Sequence, residues 1–393
     1  MHKLEKGNKV SAGKKSLIAI DARFLGEAGP GRYVKNIIEQ LEKIDTANEY
    51  VVYLRPKGFE QYKPSASNFR KVLADYKWYS WQEQFGFLLK ILKDRPDIFY
   101  VPHFNIPVLY PGKLVTAIPD IIMHSFSTER GTTLPKFYFR FKKWVYKIVV
   151  YWAVKRSFKV IVPSQDVRSD FIKVYPGVSP DKFTVAYEGV DPVFFEGHQA
   201  SVEIFSEFGI RQPYFLYISS MYEHKNVPFL IDVFEEFTRS KNYQLVLIGK
   251  KDKFSGHIAE IIKSKNLENK ILMPGMARYI TDGEINSLRK NASAYVFPSL
   301  KEGFSLTPLE AQAMGLPSVI SDIPCHREIY GDTVSYFDPK DKSDFLNKLE
   351  QIISDDGLRQ KLIEMGYENM KKYDWKNTAE TTLRVFRDLL NDL

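Results

Sequence analysis

The sequence is poor in cysteine and contains no long apolar run, and each shortage excludes a class of protein. Cys325 is the single cysteine among 393 residues, so an internal disulfide framework and a cysteine-based metal cluster within one chain are both excluded. The longest apolar run, residues 148–154, is far shorter than the roughly 20 residues that a membrane-spanning helix needs. These shortages predict a protein of a reducing compartment without a membrane span.

The amino terminus also lacks the pattern of a secretion signal. Several lysines precede residue 16, but the apolar run that follows, residues 17–20, ends at Asp21. A signal peptide needs a longer apolar region after its basic residues. The predicted location is therefore the cytoplasm, either free or peripheral on the inner face of the membrane.

Acidic residues are scarce in the first half of the chain. Residues 1–190 contain 31 Lys and Arg against 18 Asp and Glu, and residues 136–159 contain eight basic residues, many aromatic rings and no acid. A helix of this composition can lie on an anionic membrane surface. The alternative is that aromatic residues at helical spacing belong to the core. Nucleic acid is not a predicted partner, because no nucleic-acid-binding motif accompanies the positive charge.

Short apolar strands alternate with helical stretches, and the alternation restarts near the middle of the chain. A chain of 393 residues is too long for one ordinary core. The pattern predicts an α/β fold of two Rossmann-like, doubly wound domains, over residues 1–190 and 191–376, and a final helix within residues 377–393. Ligands are expected at the carboxyl ends of the strands, in a central cleft that both domains face.

Two carboxylates with seven residues between them flank a predicted helix start. Glu302 lies on a loop before Gly303, whereas Glu310 falls in the first turn of a helix for which Thr307 is the predicted N-cap. The amide groups of residues 305–309 and the positive helix end would favour an anion. The alternative is structural: Glu310 would then only complete a capping box with Thr307, and Glu302 would be a solvated loop acid.

Both acids belong to a longer motif. It runs from Phe297-Pro298-Ser299 through the two acids to Gly315-Leu316-Pro317, and related text occurs at residues 21–23, 29–33, 162–164, 187–191, 217–226 and 373–375. This text resembles the signature of the retaining glycosyltransferases of family 4, which have the GT-B fold. The resemblance implies transfer of a hexose from a nucleoside diphosphate sugar to a glycan or lipid-linked acceptor in cell-surface polysaccharide synthesis. It also implies that the final helix crosses back onto the first domain.

The resemblance implies roles for individual residues. Glu302 would hydrogen-bond the donor sugar and stabilise its developing positive charge, Glu310 would accept hydrogen bonds from the ribose, and Lys225 would neutralise the departing diphosphate. Lys225 also follows a predicted strand and precedes a helix, where its ammonium can reach a phosphate. The other predicted donor-binding residues are Gly31, Ser220, Gly249, Met276, Gly303, Phe304, Ser305 and Leu306.

Two positions depart from the family pattern. Ser219-Ser220 stands where the family commonly has Gly-Arg, so one cation for the leaving group is missing. Pro119 stands where the family has a histidine near the reacting sugar. Either another group takes over that role, or the acceptor geometry differs. The candidates for the role are His103, His124 and Asp120.

The sequence predicts no metal and no cofactor, because it contains no paired-carboxylate metal motif and the family resemblance implies a lysine and helix dipoles in its place. The first hypothesis for the donor is GDP-mannose. Two alternatives remain open. One is a GT-B nucleotide-sugar epimerase, which would need an additional acid/base pair of histidines, and the other is a non-catalytic nucleotide-sugar-binding subunit, which Pro119 makes conceivable.

Overall fold

The computed structural model describes residues 15–27, 29–126, 136–191 and 203–391. The predictions on residues 1–14, on the side chains of residues 136–139 and on residues 192–202 lie outside the described residues. The described chain contains two separate parallel sheets, of seven and six strands. The strands are largely buried, as parallel strands covered by helices on both faces should be.

The first sheet has the order β3-β2-β1-β4-β5-β6-β7. Its strands are β1 (Leu17–Asp21), β2 (Glu49–Leu54), β3 (Phe69–Leu73), β4 (Ile98–Val101), β5 (Leu114–Ala117), β6 (Lys159–Val162) and β7 (Phe183–Val185). Successive residues of β1 belong to different core clusters: Ile18 and Ile20 pack in one, and Ala19 in another. This alternation shows that helices cover both faces of the sheet.

The helices of this half largely follow the predicted pattern. They are α1 (Pro30–Ile44), α2 (Pro56–Gln61), α3 (Leu88–Asp94), α4 (Ile122–Ser125), α5 (Lys136–Arg156) and α6 (Gln165–Val174). The sequence predicts a helix over residues 81–93, and the chain is helical without a break over residues 81–94. Within this stretch a π-helical turn covers Glu83–Phe87. In that turn the buried Glu83 carboxylate accepts hydrogen bonds from Arg23 at 2.5 Å and from Asn105 at 2.6 Å.

The second sheet repeats the arrangement with the order β10-β9-β8-β11-β12-β13. Its strands are β8 (Tyr214–Ile218), β9 (Gln244–Ile248), β10 (Ile271–Leu272), β11 (Ala294–Phe297), β12 (Ser318–Ser321) and β13 (Ser335–Phe337). Its helices are α7 (Glu203–Phe208), α8 (Val227–Phe237), α9 (Lys253–Ser264), α10 (Asp282–Asn291), α11 (Leu306–Ala313), α12 (Pro324–Tyr330), α13 (Lys342–Ser354) and α14 (Asp356–Met370). In each sheet the strand order reverses between the first and fourth strands, where doubly wound folds bind ligands. The predicted fold class is confirmed.

The last helix, α15 (Trp375–Asn391), packs on the first half of the chain. Trp375 and Phe386 are buried in the same cluster as Ile18 and Val34, and the rings of Phe386 and Tyr100 lie 5.3 Å apart. The helix begins two residues before the predicted Asn377 and contacts α1 along its length. The predicted domain boundary near residue 190 stays a prediction, because the residues that follow it directly, 192–202, lie outside the described part of the chain.

Candidate functional site

A cavity of about 460 Å³ lies where the two halves of the chain meet. The first half contributes the start of α1, residues 117–120, residues 161–163 and Glu188 to its wall. The second half contributes Ser219, Lys225, Phe297 and residues 302–307. The predicted position of the site at the carboxyl ends of the strands therefore agrees with this cavity, which is large enough for part of a nucleotide sugar.

The amino terminus of α11 opens on this cavity, but it is built differently from the predicted capping box. The N-cap is Ser305, which adopts a left-handed backbone conformation with φ 74°, and its side chain makes no capping hydrogen bond. Thr307 lies inside the helix and its hydroxyl accepts a hydrogen bond from Tyr295 at 2.9 Å. The predicted cap at Thr307 and the capping-box alternative for Glu310 are therefore wrong, because the helix begins earlier.

Ser305 is held in this conformation by a buried histidine. The hydroxyl of Ser305 lies 3.0 Å from Nε2 of His326, and Nδ1 of the same ring lies 2.8 Å from the carbonyl oxygen of Ser321. Burial lowers the pKa of His326 to about 4, so the ring is neutral near pH 7. A left-handed serine is unfavourable, and such conformations persist where the surroundings determine them strongly.

Glu302 and Lys225 form an ion pair on the cavity wall. Nζ of Lys225 lies 2.6 Å from Oε1 of Glu302, and the side chains are only 11% and 7% exposed. Burial alone would raise the pKa of the Glu302 carboxyl, but the ammonium of Lys225 outweighs it and the pKa is lowered. The predicted sugar-facing acid is thus charged and adjacent to the predicted diphosphate-binding lysine.

Glu310 is engaged by two arginines rather than facing open space. Its carboxylate accepts hydrogen bonds from Arg32 at the start of α1 and from Arg289 in α10. Arg32 also donates from Nε to Asp191 at 2.9 Å. The sequence did not indicate Arg289, because its contact with Glu310 depends on how α10 packs against α11.

Pro119 and Asp120 line the cavity and pack against Gly303, the residue after Glu302. A β-carbon added to Gly303 would lie within 3.0 Å of the carbonyl oxygen of Pro119, and Ser164 donates a hydrogen bond to the Gly303 carbonyl at 2.7 Å. The pKa of Asp120 is raised by burial and by the charge of Glu302.

Glu188 is a further acid on the cavity wall. It belongs to the motif segment at residues 187–191, but the sequence assigned it no role. Burial and the charge of Asp120 raise its pKa to about 7, although Arg32 opposes the shift. Its charge therefore changes within the physiological range. No spacing rule in the sequence indicated this shift, which depends on what surrounds the side chain.

If the cavity holds the nucleoside diphosphate that the family resemblance implies, we expect its affinity to fall as pH rises through about 7. The reason is that ionised Glu188, which lines the cavity, would repel the phosphates. In Glu188→Gln this component should disappear, which would leave the variant about fivefold tighter than the wild type at pH 8, for a repulsion of about 1 kcal/mol. Titration calorimetry at pH 6 and pH 8 measures the affinity of the wild type and of the variant. Equal pH dependence in the two proteins would contradict the assignment.

The structure brings most of the predicted residues to the cavity, but not all. Asp120, Lys225, Glu302 and residues 303–306 line it. His103 does not, because its ring turns into the interior between Phe24 and Phe104 and its Nδ1 accepts from the Asn105 amide at 3.1 Å. Burial also lowers the His103 pKa to about 4. His103 is therefore not placed to act as a catalytic residue in this cavity.

Several predicted donor-binding residues do not line the cavity: Gly31, Ser220, Gly249, Met276 and Glu310. Glu310 is buried and contacts the wall only through its pair with Arg32. Gly31 packs against the Phe24 carbonyl, and Ser219 takes the position expected for Ser220. Gly249 contacts the backbone of Ser219 on one side and Gly275 on the other, one residue from Met276. These contacts join the backbone of Ser219 through Gly249 to Gly275, the residue before the predicted donor-binding Met276.

His124, the remaining candidate for the role of the histidine missing at position 119, does not line the cavity either. Its Nε2 lies 3.0 Å from the hydroxyl of Tyr175. Among the described residues that form the cavity wall there is no histidine. Asp120 is the one of the three candidates that reaches the site.

Neither a metal-ligand cluster nor a helix suited to cross a membrane occurs in the part of the chain that the structure describes. No group of three or more described His, Cys, Asp or Glu side chains could hold a metal ion. No described helix is both long and apolar enough to cross a membrane. The absence of a metal from the reaction stays a prediction.

Two protein-family models match this chain, each over a different half. Glycosyltransferase Family 4 matches residues 28–194, and Glycosyl transferases group 1 matches residues 203–369. The second match includes Lys225, Glu302 and Glu310, and the first includes Arg32, Asp120 and Glu188. Both sides of the cavity therefore fall within matched segments.

Individual proteins are similar to this chain at 16–28% sequence identity. The O-antigen chain mannosyltransferase RfbU of Salmonella typhimurium is 25% identical over 275 residues, 70% of each chain. The O-antigen chain mannosyltransferase B of Escherichia coli is 28% identical over 179 residues, 45% of this chain and 46% of that one. The crystal structure of Anabaena Alr3699/HepE in complex with UDP and glucose superposes with a TM-score of 0.70, at 16% identity, over 95% of this chain and 100% of that one.

Proposed function

For a chain that belongs to the group 1 glycosyltransferases with the GT-B fold, we propose transfer of a hexose, with retention of configuration, from a nucleoside diphosphate sugar. The acceptor is a glycan or a lipid-linked glycan of cell-surface polysaccharide synthesis. The observation that carries the proposal is the buried Lys225–Glu302 pair beside the α11 amino terminus. Retention rests on the resemblance to family 4 enzymes.

The chemistry requires opposite charges at two adjacent points. Cleavage of the sugar–phosphate bond builds negative charge on the diphosphate and positive charge on the sugar ring. In this proposal Lys225 and the amides at the start of α11 stabilise the diphosphate, and Glu302 stabilises the sugar. Its support is that both side chains line the cavity and that the pKa of Glu302 is lowered beside the ammonium of Lys225. This division of roles needs no divalent cation, so we propose a metal-independent reaction.

Mannose from GDP-mannose is the proposed donor. Its support is that two of the similar proteins are named O-antigen chain mannosyltransferases. Glu310 is the proposed ribose-binding residue, and the loop that contains Met276 is the proposed site of the base. Asp120, which lines the cavity beside Glu302, is the proposed acid on the acceptor side.

Thermal unfolding of the wild-type protein with GDP, UDP, ADP and CDP tests the donor class. A bound nucleotide at 100 times its Kd should stabilise the protein by about 2.7 kcal/mol. The matching sugar nucleotides are then assayed for slow release of the nucleoside diphosphate with and without a chelator. Unchanged melting temperatures with every nucleotide, together with no release from any donor, would refute the proposal.

The same assay separates the two alternatives. An epimerase would convert the donor sugar without releasing nucleotide, and it would want acid/base histidines that the described cavity wall does not provide. A non-catalytic subunit would bind nucleotide and leave every donor intact. Release that survives the chelator favours the transferase over both.

We further propose that the first half of the chain contacts an anionic membrane surface through two exposed apolar stripes. On α5, Phe141, Trp144, Ile148 and Tyr151 are 41–60% exposed and follow helical spacing. The second stripe, on the segment before and within α3, comprises Trp81, Phe85, Leu89 and Leu92. Both segments hydrogen-bond to one loop, Gln84 to the Ile106 carbonyl and Trp152 to the Val108 carbonyl, and Leu109 of that loop is 66% exposed.

Replacing Lys142, Lys143 and Lys147 by glutamate should release the protein from anionic vesicles. Each lysine near such a surface contributes about 1 kcal/mol, so reversing three charges should lower partitioning by at least about 100-fold at low salt. Sedimentation with anionic vesicles measures the fraction of protein that is bound to them. The control changes Lys361, Lys371 and Lys372 of the second half to glutamate, which should leave retention nearly unchanged. Equal loss in both variants would indicate a net-charge effect and contradict the surface.

A further inference from the structure

Each of the two acids proposed for the donor is ion-paired to a cation that lines the cavity. Glu302 pairs with Lys225 at 2.6 Å, and Glu310 pairs with Arg32. Within the described residues, Lys225 and Arg32 are the two cationic side chains on the cavity wall. Two cation–carboxylate pairs therefore adjoin the cavity. Both members of the Lys225–Glu302 pair line it, whereas in the Arg32–Glu310 pair only Arg32 does.

Arg32 differs from Arg289, the other partner of Glu310, in its exposure. The side chain of Arg32 is 32% exposed, whereas those of Arg289 and Glu310 are 3% and 2% exposed. If Arg32 moves away, Glu310 remains paired with buried Arg289, so the movement does not leave a buried charge without compensation. Arg32 is the partner that a ligand in the cavity can take.

We propose that Arg32 is a second diphosphate-binding cation, and that the diphosphate displaces it from Glu310. A guanidinium binds phosphate oxygens through two parallel N–H groups, which makes it well suited to a diphosphate. The Nε contact with Asp191 at 2.9 Å would anchor the side chain while its terminal nitrogens change partner. The inference rests on the proposed function and adds a residue and an exchange that the function alone does not require.

In this exchange only a ligand that carries a diphosphate can displace both cations. When the diphosphate takes Lys225 and Arg32, it releases Glu302 for sugar hydroxyls. It also frees Oε1 of Glu310 for a ribose hydroxyl, while Oε2 stays paired with Arg289. A nucleoside or a free sugar lacks the charge to displace either cation. Such ligands should therefore bind far more weakly than the intact nucleoside diphosphate sugar.

Titration calorimetry with inorganic pyrophosphate tests the role of Arg32 apart from base and sugar. A hydrogen bond to a charged group is worth about 1.5–3 kcal/mol, so Arg32→Gln should weaken pyrophosphate binding about 10- to 100-fold. Arg70→Gln is the matched control, because Arg70 pairs with Asp94 at 2.8 Å on the outer strand of the first sheet. Its affinity should equal that of the wild type.

Glu310→Gln tests the exchange itself. It removes the charge that competes for Arg32, so pyrophosphate should bind several-fold more tightly than to the wild type, whereas the extra affinity contributed by a nucleoside should fall. A purely structural Arg32–Glu310 pair would not tighten pyrophosphate binding in this variant. If the variant does not fold, because Arg289 then loses its buried partner, Arg32→Gln alone decides the role of Arg32.

The outcomes distinguish this inference from the proposed function. Wild-type affinity in Arg32→Gln, with weak binding in Lys225→Ala, would overturn the role of Arg32 and leave the transferase proposal intact. Weaker pyrophosphate binding in a folded Glu310→Gln would overturn the exchange. If the wild type binds neither pyrophosphate nor any nucleoside diphosphate, both proposals fail.

Discussion

Replacing Lys225 by alanine is expected to slow donor cleavage by about 10²- to 10³-fold, the usual cost of removing one group that stabilises developing negative charge. Lys225 lies on the cavity wall, 2.6 Å from Glu302. Because its ammonium lowers the pKa of Glu302, the variant should also show an upward shift of the acidic limb of the pH–rate profile. Release of the nucleoside diphosphate, measured as kcat and kcat/KM across pH, reports both effects.

Lys342→Ala is the matched control for this experiment. Lys342 also forms an ion pair, with Asp232 at 3.1 Å, but the pair is half-exposed and lies outside the cavity wall. Exposed pairs contribute about 0–1 kcal/mol to stability, and this one should contribute nothing to the rate. A Lys225→Ala protein that is folded and as fast as the control would remove the lysine from the proposed mechanism.

Replacing Gly189 by alanine is expected to destabilise the protein by about 3 kcal/mol, at the upper end of the usual cost of overpacking. A β-carbon at this position would lie within 3.0 Å of backbone atoms of Trp375. Backbone atoms, unlike the end of a flexible side chain, cannot rotate away from such a clash. The same segment is held by Val190, which donates to the Tyr373 carbonyl at 3.1 Å. The junction between the first half of the chain and α15 would have to open.

Urea unfolding followed by circular dichroism measures this loss as a lower midpoint. Gly177→Ala is the control, because a β-carbon at Gly177 meets nothing within 4 Å. Its midpoint should match the wild type. Equal midpoints in Gly189→Ala and Gly177→Ala would show that the backbone at residue 189 can shift without cost, and that the contact with Trp375 is not rigid.

The strands that the sequence predicted well are those buried on both faces. The apolar runs at residues 17–22 and 244–249 predict strands, because parallel strands covered on both faces are continuous apolar runs. The strands β1 and β9 lie there. The sequence does not indicate the edge strand β3 (Phe69–Leu73), because only one side of it pairs and Phe69 is its one buried residue, which leaves no apolar run. The sequence does not indicate the π-helical turn, in which Glu83 contacts Arg23, sixty residues away.

The local part of the site was likewise predictable. Glu302 and the four residues that follow it form one continuous segment, and Lys225 stands between a strand and a helix, so their place at the strand ends followed from the pattern. His103 also stands near a strand end, yet its ring turns inward against Phe24. The position along a strand therefore indicates the correct edge of the sheet but not the direction of a side chain.

By itself the sequence determined the repeated α/β architecture and the motif residues Lys225 and Glu302, because periodicity and short-range spacing encode them. Only the tertiary structure decided the partners of Glu310, since Arg32 lies 278 residues away. It also decided the raised pKa of Glu188. Ion pairing and desolvation depend on which distant groups folding brings together, and no local pattern records that.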